Sequence, residues 1–197
     1  TLSGPPSKMT PGRQNLLDPV QLSLMLDRLS QELIETHHRF ENSVLIGLQP
    51  RGTLLARRIH GILEAKTGTA VSLGLLDVTF HRDDFRRREA PLLPSDTRID
   101  FSIEGKSVVL IDDVLFTGRT LRSGLDALLD FGRPAKVELM VLLHRLYSQE
   151  FPIRPDYCGR KVNTMPNQRI HVEWMEESGR DFVWIETFEA SQTPSAG

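Results

Sequence analysis

Only one cysteine, Cys158, occurs in the 197 residues, so no internal disulfide can form. With no second thiol and no histidine cluster beside it, a structural zinc site lacks its ligand set. A reducing, cytosolic setting is the expectation. Long apolar runs are absent too: none approaches the roughly 18 residues of a membrane span. The stretch TLSGPPSKMTPGRQ carries no apolar core of the kind a secretory signal needs, and residues 1–15 read as a flexible lead. Neither sign of charge dominates, because 24 Lys and Arg stand against 26 Asp and Glu for a net charge of -2. That balance excludes a global cationic field recruiting nucleic acid or anionic membrane, so any such binding must use a local patch. No GxGxxG turn follows a strand, and no Gly-Lys-Ser/Thr follows the Val108 to Ile111 strand, Gly105-Lys106-Ser107 standing before it instead; this removes the main support for dinucleotide binding and nucleoside triphosphate hydrolysis.

What is present is an ordinary globular composition, 39% hydrophobic and 25% charged, of single-domain length. Asp18 and Pro19 form a helix start, and Leu22, Met25, Leu26, Leu29 and Leu33 recur at helical spacing. The apolar run Val44 to Gln49 reads as a buried parallel strand ending in Pro50-Arg51-Gly52. A helix carrying Leu55, Ile59, Ile62 and Leu63 follows and closes at Gly68. Residues 70–80 read as another strand, and the charged, proline-bearing segment after it as a long loop. Ser107 to Ile111 is a buried strand; Leu121, Leu125, Leu128 and Leu129 mark one face of the next helix; Val137 to Leu143 is a further strand. This alternation implies an α/β fold, a parallel sheet flanked by helices. Residues 170–174 and 182–186 read instead as a small antiparallel pair divided by a turn at Glu176 to Arg180. Residues 16–188 are thus expected to form one domain, with 189–197 a loose tail.

The segment VVLIDDVLFTGRT, Val108 to Thr120, carries the chemistry. Two adjacent carboxylates, Asp112 and Asp113, end a buried strand, and a hydroxyl-rich loop then opens a helix. In open α/β sheets ligands bind there. Successive backbone N–H groups, two hydroxyls and the partial positive charge of a helix start suit a phosphate, while the carboxylates repel phosphate but accept hydrogen bonds from hydroxyls. Together they ask for a vicinal diol at one end and a phosphate at the other, a ribose 5-phosphate. The plainer alternative is a strand-end turn with Thr117 as N-cap.

These thirteen residues resemble the phosphoribosyl pyrophosphate (PRPP) motif of type I phosphoribosyltransferases. The form IDDVLFTGRT, with GLDALLDFGRPAKVEL after it and with LIGLQPRG, FHRDDFRR and FPIRPDYCGR elsewhere, is similar to the PyrR family over about Leu16 to Ile185. That resemblance implies a Rossmann-like core with a small hood subdomain from about 80–100 and 150–186. It implies conversion of PRPP and uracil to UMP and pyrophosphate, with Mg2+ held through PRPP and water, and in many members binding of pyr messenger RNA under control of uridine nucleotides such as UMP and UTP. A cytoplasmic homo-oligomer, a dimer or higher, is expected. By the same resemblance Asp112 and Asp113 meet the ribose hydroxyls, Val114, Leu115, Phe116, Thr117, Gly118, Arg119 and Thr120 hold the 5-phosphate, and Arg51 and Gly52 meet the pyrophosphate. Arg51, Asp112 and Asp113 are the expected catalytic residues. Arg82, Asp83 and Asp84 match the hood, and Arg145 and Ile170 the base pocket.

Several positions depart from the family pattern. Pro50 stands where a threonine is usual, His144 replaces an aspartate, and one extra residue precedes Glu150. On the first helix only Arg28 is kept, with Asp27 and Gln31 in place of Thr and His. A carboxylate facing RNA phosphates is unfavourable, so an RNA face would lean on Arg28, Arg154 and Arg160, with Lys161 and Arg169 nearby. The base stays open on these residues: the motif identifies the sugar phosphate, and transfer to another nucleobase, or a chiefly RNA-binding regulator, are the alternatives.

Overall fold

Strand and helix alternate along most of the chain because apolar runs too short for a helix are followed by stretches of 3.6-residue period. The structure, a computed structural model, describes residues 12–79 and 96–188. In order come β1 (Arg13–Leu17), α1 (Pro19–His37), β2 (Ser43–Gln49), α2 (Gly52–Thr67), β3 (Ser72–Asp77), β4 (Ser107–Leu115), α3 (Arg119–Leu128), β5 (Lys136–Leu146), β6 (Tyr157–Asn163), β7 (Gln168–Glu173), α4 (Met175–Ser178) and β8 (Phe182–Thr187). They divide into two compact units, Leu24–Asn163 and a smaller one of residues 12–23 with 164–188. The hood positions Arg82, Asp83 and Asp84 lie outside the described residues.

In the larger unit five strands form one all-parallel sheet in the order β3-β2-β4-β5-β6. The chain passes from β2 outward to β3, then returns across β2 to β4, so the direction of winding reverses between β2 and β4. One face of the sheet, through Val44, Ile46, Leu48, Val108, Leu110, Leu139 and Val141, packs with Leu121, Ala127 and Leu128 of α3. Each such fully buried side chain contributes about 1.5–3 kcal/mol. On α2, Leu55, Ala56, Ile59 and Leu63 are buried, and Gly68 closes the helix at a φ of 66° with its N–H on the Glu64 carbonyl. Asp18 and Gln21 cap α1 reciprocally, each side chain accepting the other's N–H at 2.8 and 3.1 Å. The apolar face expected on α1 is buried throughout.

The expected face of α3 needs correcting. Leu121 and Leu128 are buried, but Leu125 is 36% and Leu129 62% exposed. Gly124 instead faces the sheet, where a Cβ would come within 2.9 Å of Leu48 Cδ2. The buried stripe is therefore 121, 124, 128, and positions 125 and 129 sit one step round the helix.

Two strands were not expected. Arg13 to Asn15, read as the end of a flexible lead, begin β1, which pairs with β8, and β8 pairs with β7, giving a three-stranded antiparallel sheet. Its face carries a ladder: the Arg13 guanidinium lies 3.7 Å from the Trp184 ring, and His171 stacks on Trp184 at 4.1 Å. Trp184 Nε1 donates to Glu173 at 2.8 Å. The other is β6, an edge strand paired with β5 alone, whose Gly, Arg and Lys hide its strand character. No helix among the described residues is long and apolar enough to cross a membrane.

Candidate active site

Parallel pairing stops unevenly at the carboxyl edge of the larger sheet, and this leaves the end of β4 unpaired on its β2 side. The β2–β4 ladder ends at Gly47 opposite Ile111, whereas β4 stays paired with β5 as far as Leu115 opposite His144. Past Ile111 the β2 side of β4 is released from that ladder, at the reversal of strand order where ligands of open α/β sheets sit. Asp112 and Asp113 are the first residues beyond this point. The turn after β2 packs directly beneath them: a Cβ on Gly52 would lie 2.2 Å from the Ile111 carbonyl oxygen and 3.2 Å from the Asp112 Cα, so only glycine fits. The preceding Gln49–Pro50 peptide is cis, and Gln49, itself buried, donates its amide to the Asp96 carbonyl at 3.0 Å.

Both carboxyl groups are buried, 9% exposed at Asp112 and 6% at Asp113. Asp112 Oδ1 accepts the Asp113 N–H at 2.9 Å, and Asp113 Oδ1 the Val114 N–H at 2.7 Å. Burial pushes Asp112 well above the usual carboxylate range, and the neighbouring Asp113 charge adds to it. Asp113 is raised as well, again by burial, with the nearby charge of Arg51 opposing. A pair held in this way gains from any ligand that brings hydroxyl donors or cationic charge.

Beyond the pair, Val114 and Leu115 finish β4 and residues 116–120 turn into α3. Gly118 has a φ of 88°, a left-handed conformation that glycine adopts without strain. Thr117 is not the N-cap; Gly118 is, and Thr117 Oγ1 accepts the Arg119 N–H at 3.3 Å. Arg51 caps α2 without a side-chain hydrogen bond and is exposed at the same edge. Two helix starts, those of α2 and α3, thus bring their partial positive charge to the carboxyl edge.

Arg145, expected in the base pocket, is buried at the end of β5 with its guanidinium 4.0 Å from the Phe116 ring centroid, and burial draws its pKa down. Ile170, also expected there, is buried in the smaller unit, where its strand pairs it with Ile185. Arg28 directs one guanidinium nitrogen to the carbonyls of Cys158 and Gly159, at 3.3 and 2.6 Å, and another to Glu32. Asp27 pairs with Lys66 at 2.8 Å. Arg154, Arg160, Lys161 and Arg169 are exposed. Among the described residues no group of three or more His, Cys, Asp or Glu is gathered as a metal-binding cluster.

One set of contacts had no sequence signal beyond His144 in place of an aspartate and the extra residue before Glu150. His144 is 6% exposed, its Nε2 meets the Gln149 amide at 2.6 Å, and Glu150 pairs with Arg119 at 2.7 Å.

Residues 13–177 match the model of the phosphoribosyl transferase domain family. A bifunctional protein PyrR of Desulfosudis oleivorans is 43% identical over 175 residues, 89% of this chain and 97% of its own length. One of Clostridioides difficile is 40% identical over 173 residues, 88% of this chain and 97% of its own. Among solved structures, a hypoxanthine phosphoribosyltransferase of Staphylococcus aureus superposes with a TM-score of 0.64 at 20% identity, covering 90% of this chain and 93% of its own. That of Trypanosoma cruzi gives a TM-score of 0.66 at 16% identity over 89% and 97%. At such identities these two speak for the fold alone.

Proposed function

The chain belongs to the phosphoribosyl transferase domain family and, within it, to the PyrR proteins, and on that premise we propose that it transfers the phosphoribosyl group of PRPP to uracil, yielding UMP and pyrophosphate. The observation that carries this reading is that the Arg51–Gly52 turn, the buried Asp112–Asp113 pair and the Phe116–Thr120 loop lie along one sheet edge, with Gly52 against Ile111 and Asp112. Pyrophosphate is charged, ribose carries a diol, and the 5-phosphate needs directed N–H groups; each has its counterpart along that edge.

In the reaction the bond from C1 of the sugar to pyrophosphate breaks and a bond from C1 to a ring nitrogen of uracil forms. Positive charge grows on the sugar ring, and the leaving group gains negative charge. Arg51 would stabilise that departing anion, and Asp112 and Asp113 would orient the ribose through its hydroxyls. The buried carboxylates Asp112 and Asp113 are hard oxygen donors that suit the hydration shell of a magnesium ion held through PRPP and water, which would supply counter-charge to the pyrophosphate. No side-chain nucleophile is required. Arg82, Asp83 and Asp84 would belong to a hood that excludes water, and Arg145 to the base pocket. We place the protein in the cytoplasm, as a homo-oligomer with one catalytic domain over residues 16–188.

Incubation with PRPP, magnesium and each nucleobase in turn tests the assignment. UMP from uracil is the expected product; nucleotide from hypoxanthine or orotate with none from uracil would overturn it. A second activity, uridine-nucleotide-controlled binding of a pyr leader transcript, is proposed with Arg154 and Arg160 as its main contacts. Arg28 would add little, since its guanidinium is engaged with Glu32 and two backbone carbonyls. Binding weaker than the family norm and steeply salt-dependent is expected in a filter titration with and without UMP.

A further inference from the structure

Beyond β5 the chain reverses and runs back across the loop that opens α3. Tyr147, just past the strand, takes a φ of 62°, unusual for a residue with a side chain. Gln149 then anchors the returning segment. Its amide nitrogen meets His144 Nε2 at 2.6 Å and donates to the Ile153 carbonyl at 2.9 Å. With the amide as donor, His144 Nε2 is the acceptor, which leaves the proton of a neutral ring to Nδ1, a buried atom that makes no hydrogen bond. Burial, with the charge of Lys161 on β6 adding to it, lowers the His144 pKa and favours that neutral form.

The anchored segment grips residues 117–122 at four points. The Glu150 N–H donates to the Thr117 carbonyl at 3.0 Å, and the Phe151 N–H to the same oxygen at 3.4 Å. The Glu150 carboxylate accepts from Arg119 at 2.8 and 2.7 Å. Ile153 and Phe151 cover Gly118 so closely that a Cβ there would meet them at 3.0 and 3.4 Å. The Arg122 guanidinium lies 5.3 Å from the Phe151 ring centroid.

We propose that residues 149–153 are a strap that sets the phosphate affinity of the Phe116–Thr120 loop, with Gln149 and the backbone N–H of Glu150 as its positioning elements. The inference rests on the reading of that loop as the 5-phosphate site. In a planar trans peptide the carbonyl and the following N–H point in opposite directions. Holding the Thr117 carbonyl toward the strap therefore turns the Gly118 N–H to the other side, where an anion at the start of α3 would receive it. An N–H fixed before the ligand arrives costs no ordering on binding. The Arg119–Glu150 ion pair is a smaller part of the device, because its side chains are 40% and 48% exposed and water screens it.

The test compares UMP with uridine, which differ only in the 5-phosphate, by titration calorimetry on the full chain, together with KM and kcat for PRPP. Gln149→Leu removes the anchor, Glu150→Pro removes the N–H, and Glu150→Ala removes only the carboxylate. The first two are expected to weaken UMP and raise the PRPP KM by roughly tenfold while uridine affinity and kcat change little; Glu150→Ala is expected to stay within about threefold. Equal losses for UMP and uridine would mean a general structural role and overturn the proposal, as would wild-type UMP affinity in Gln149→Leu. Should Glu150→Pro not fold, Gln149→Leu, which leaves the backbone intact, decides alone. A wild-type protein that binds neither UMP nor PRPP would instead reject the phosphoribosyl reading beneath it.

Discussion

At the amino end of the parallel sheet, Glu138 is 4% exposed and has three partners close by. Lys136 Nζ lies 2.8 Å from one of its oxygens, Tyr157 donates to the same oxygen at 3.2 Å, and His37 Nε2 stands 3.2 Å from the other. His37 in turn meets Ser43 Oγ at 2.8 Å. At the carboxyl end Asp112 and Asp113 are as deeply buried, yet their hydrogen bonds come from their own neighbours in the chain, and both pKa values rise. Through one oxygen the amino-end carboxylate is matched by a cation and a hydroxyl donor of the fold itself, while its buried Oε2 makes no hydrogen bond. The carboxyl-end pair is left with a charge problem that a bound ligand would relieve, and that contrast separates a structural polar cluster from a binding site.

Breaking the matched end should give the largest effect. Glu138→Ala leaves the buried Tyr157 hydroxyl without its acceptor, while Lys136, 59% exposed, is left to solvent; it is expected to lower unfolding free energy by roughly 1–3 kcal/mol, read from the urea midpoint. Turnover of the folded fraction should be unchanged; equal loss of activity would show that the two ends are not independent. Next comes Arg51→Ala, expected to reduce kcat by roughly a hundredfold with a smaller change in the PRPP KM, because pyrophosphate gains charge in the transition state.

The unmatched end responds in the opposite sense to the matched one. Asp112→Asn with Asp113→Asn should weaken PRPP by at least about tenfold, yet not destabilise the fold at neutral pH. A carboxyl whose folded pKa is raised opposes folding at pH values above its ordinary range, and this penalty disappears as pH falls through the folded value. Removing the charge removes the penalty, so denaturation at pH 7 should show equal or greater stability. Normal PRPP affinity in the double variant would show the ribose assignment to be wrong.

The smallest expected effect sharpens the amino end. Burial lowers the His37 pKa, against the opposing pull of Glu138. The folded state therefore favours neutral His37: its contribution is present above the unfolded value of about 6.5 and is lost as pH falls toward the folded one. Stability should decline on acidification below that value, and His37→Asn should flatten the slope by a fraction of a kcal/mol per pH unit. An unchanged slope would assign the titration elsewhere, with His144, also lowered by burial, the first alternative.

Much of the larger unit could be read from pattern. Val44 to Gln49 and Ser107 to Ile111 are continuous apolar runs because parallel strands are buried on both faces, and Gly68 ends α2 where a left-handed residue is needed. The strand β6 could not be read so, since an edge strand with one partner tolerates Gly159, Arg160 and Lys161 and shows no apolar run. On α3, leucine spacing pointed to Leu125 and Leu129, while the helix seats Gly124 against Leu48, a choice made by the closeness of the opposing surface.

What the sequence determined by itself is the local chemistry of the site: an acid pair, a hydroxyl loop and a helix start in one continuous segment, whose order in the chain is also their order in space. What only the tertiary structure decided is what surrounds that segment. Gly52 meets Ile111 because the strand order reverses between β2 and β4, and Gln149 and Glu150 reach His144 and Thr117 because the chain turns back at Tyr147. The Gly52–Ile111 and Glu150–Thr117 contacts join residues tens of positions apart, and Gln149–His144 closes a short turn; all depend on steric fit and hydrogen-bond direction, and neither leaves a periodic trace in the chain.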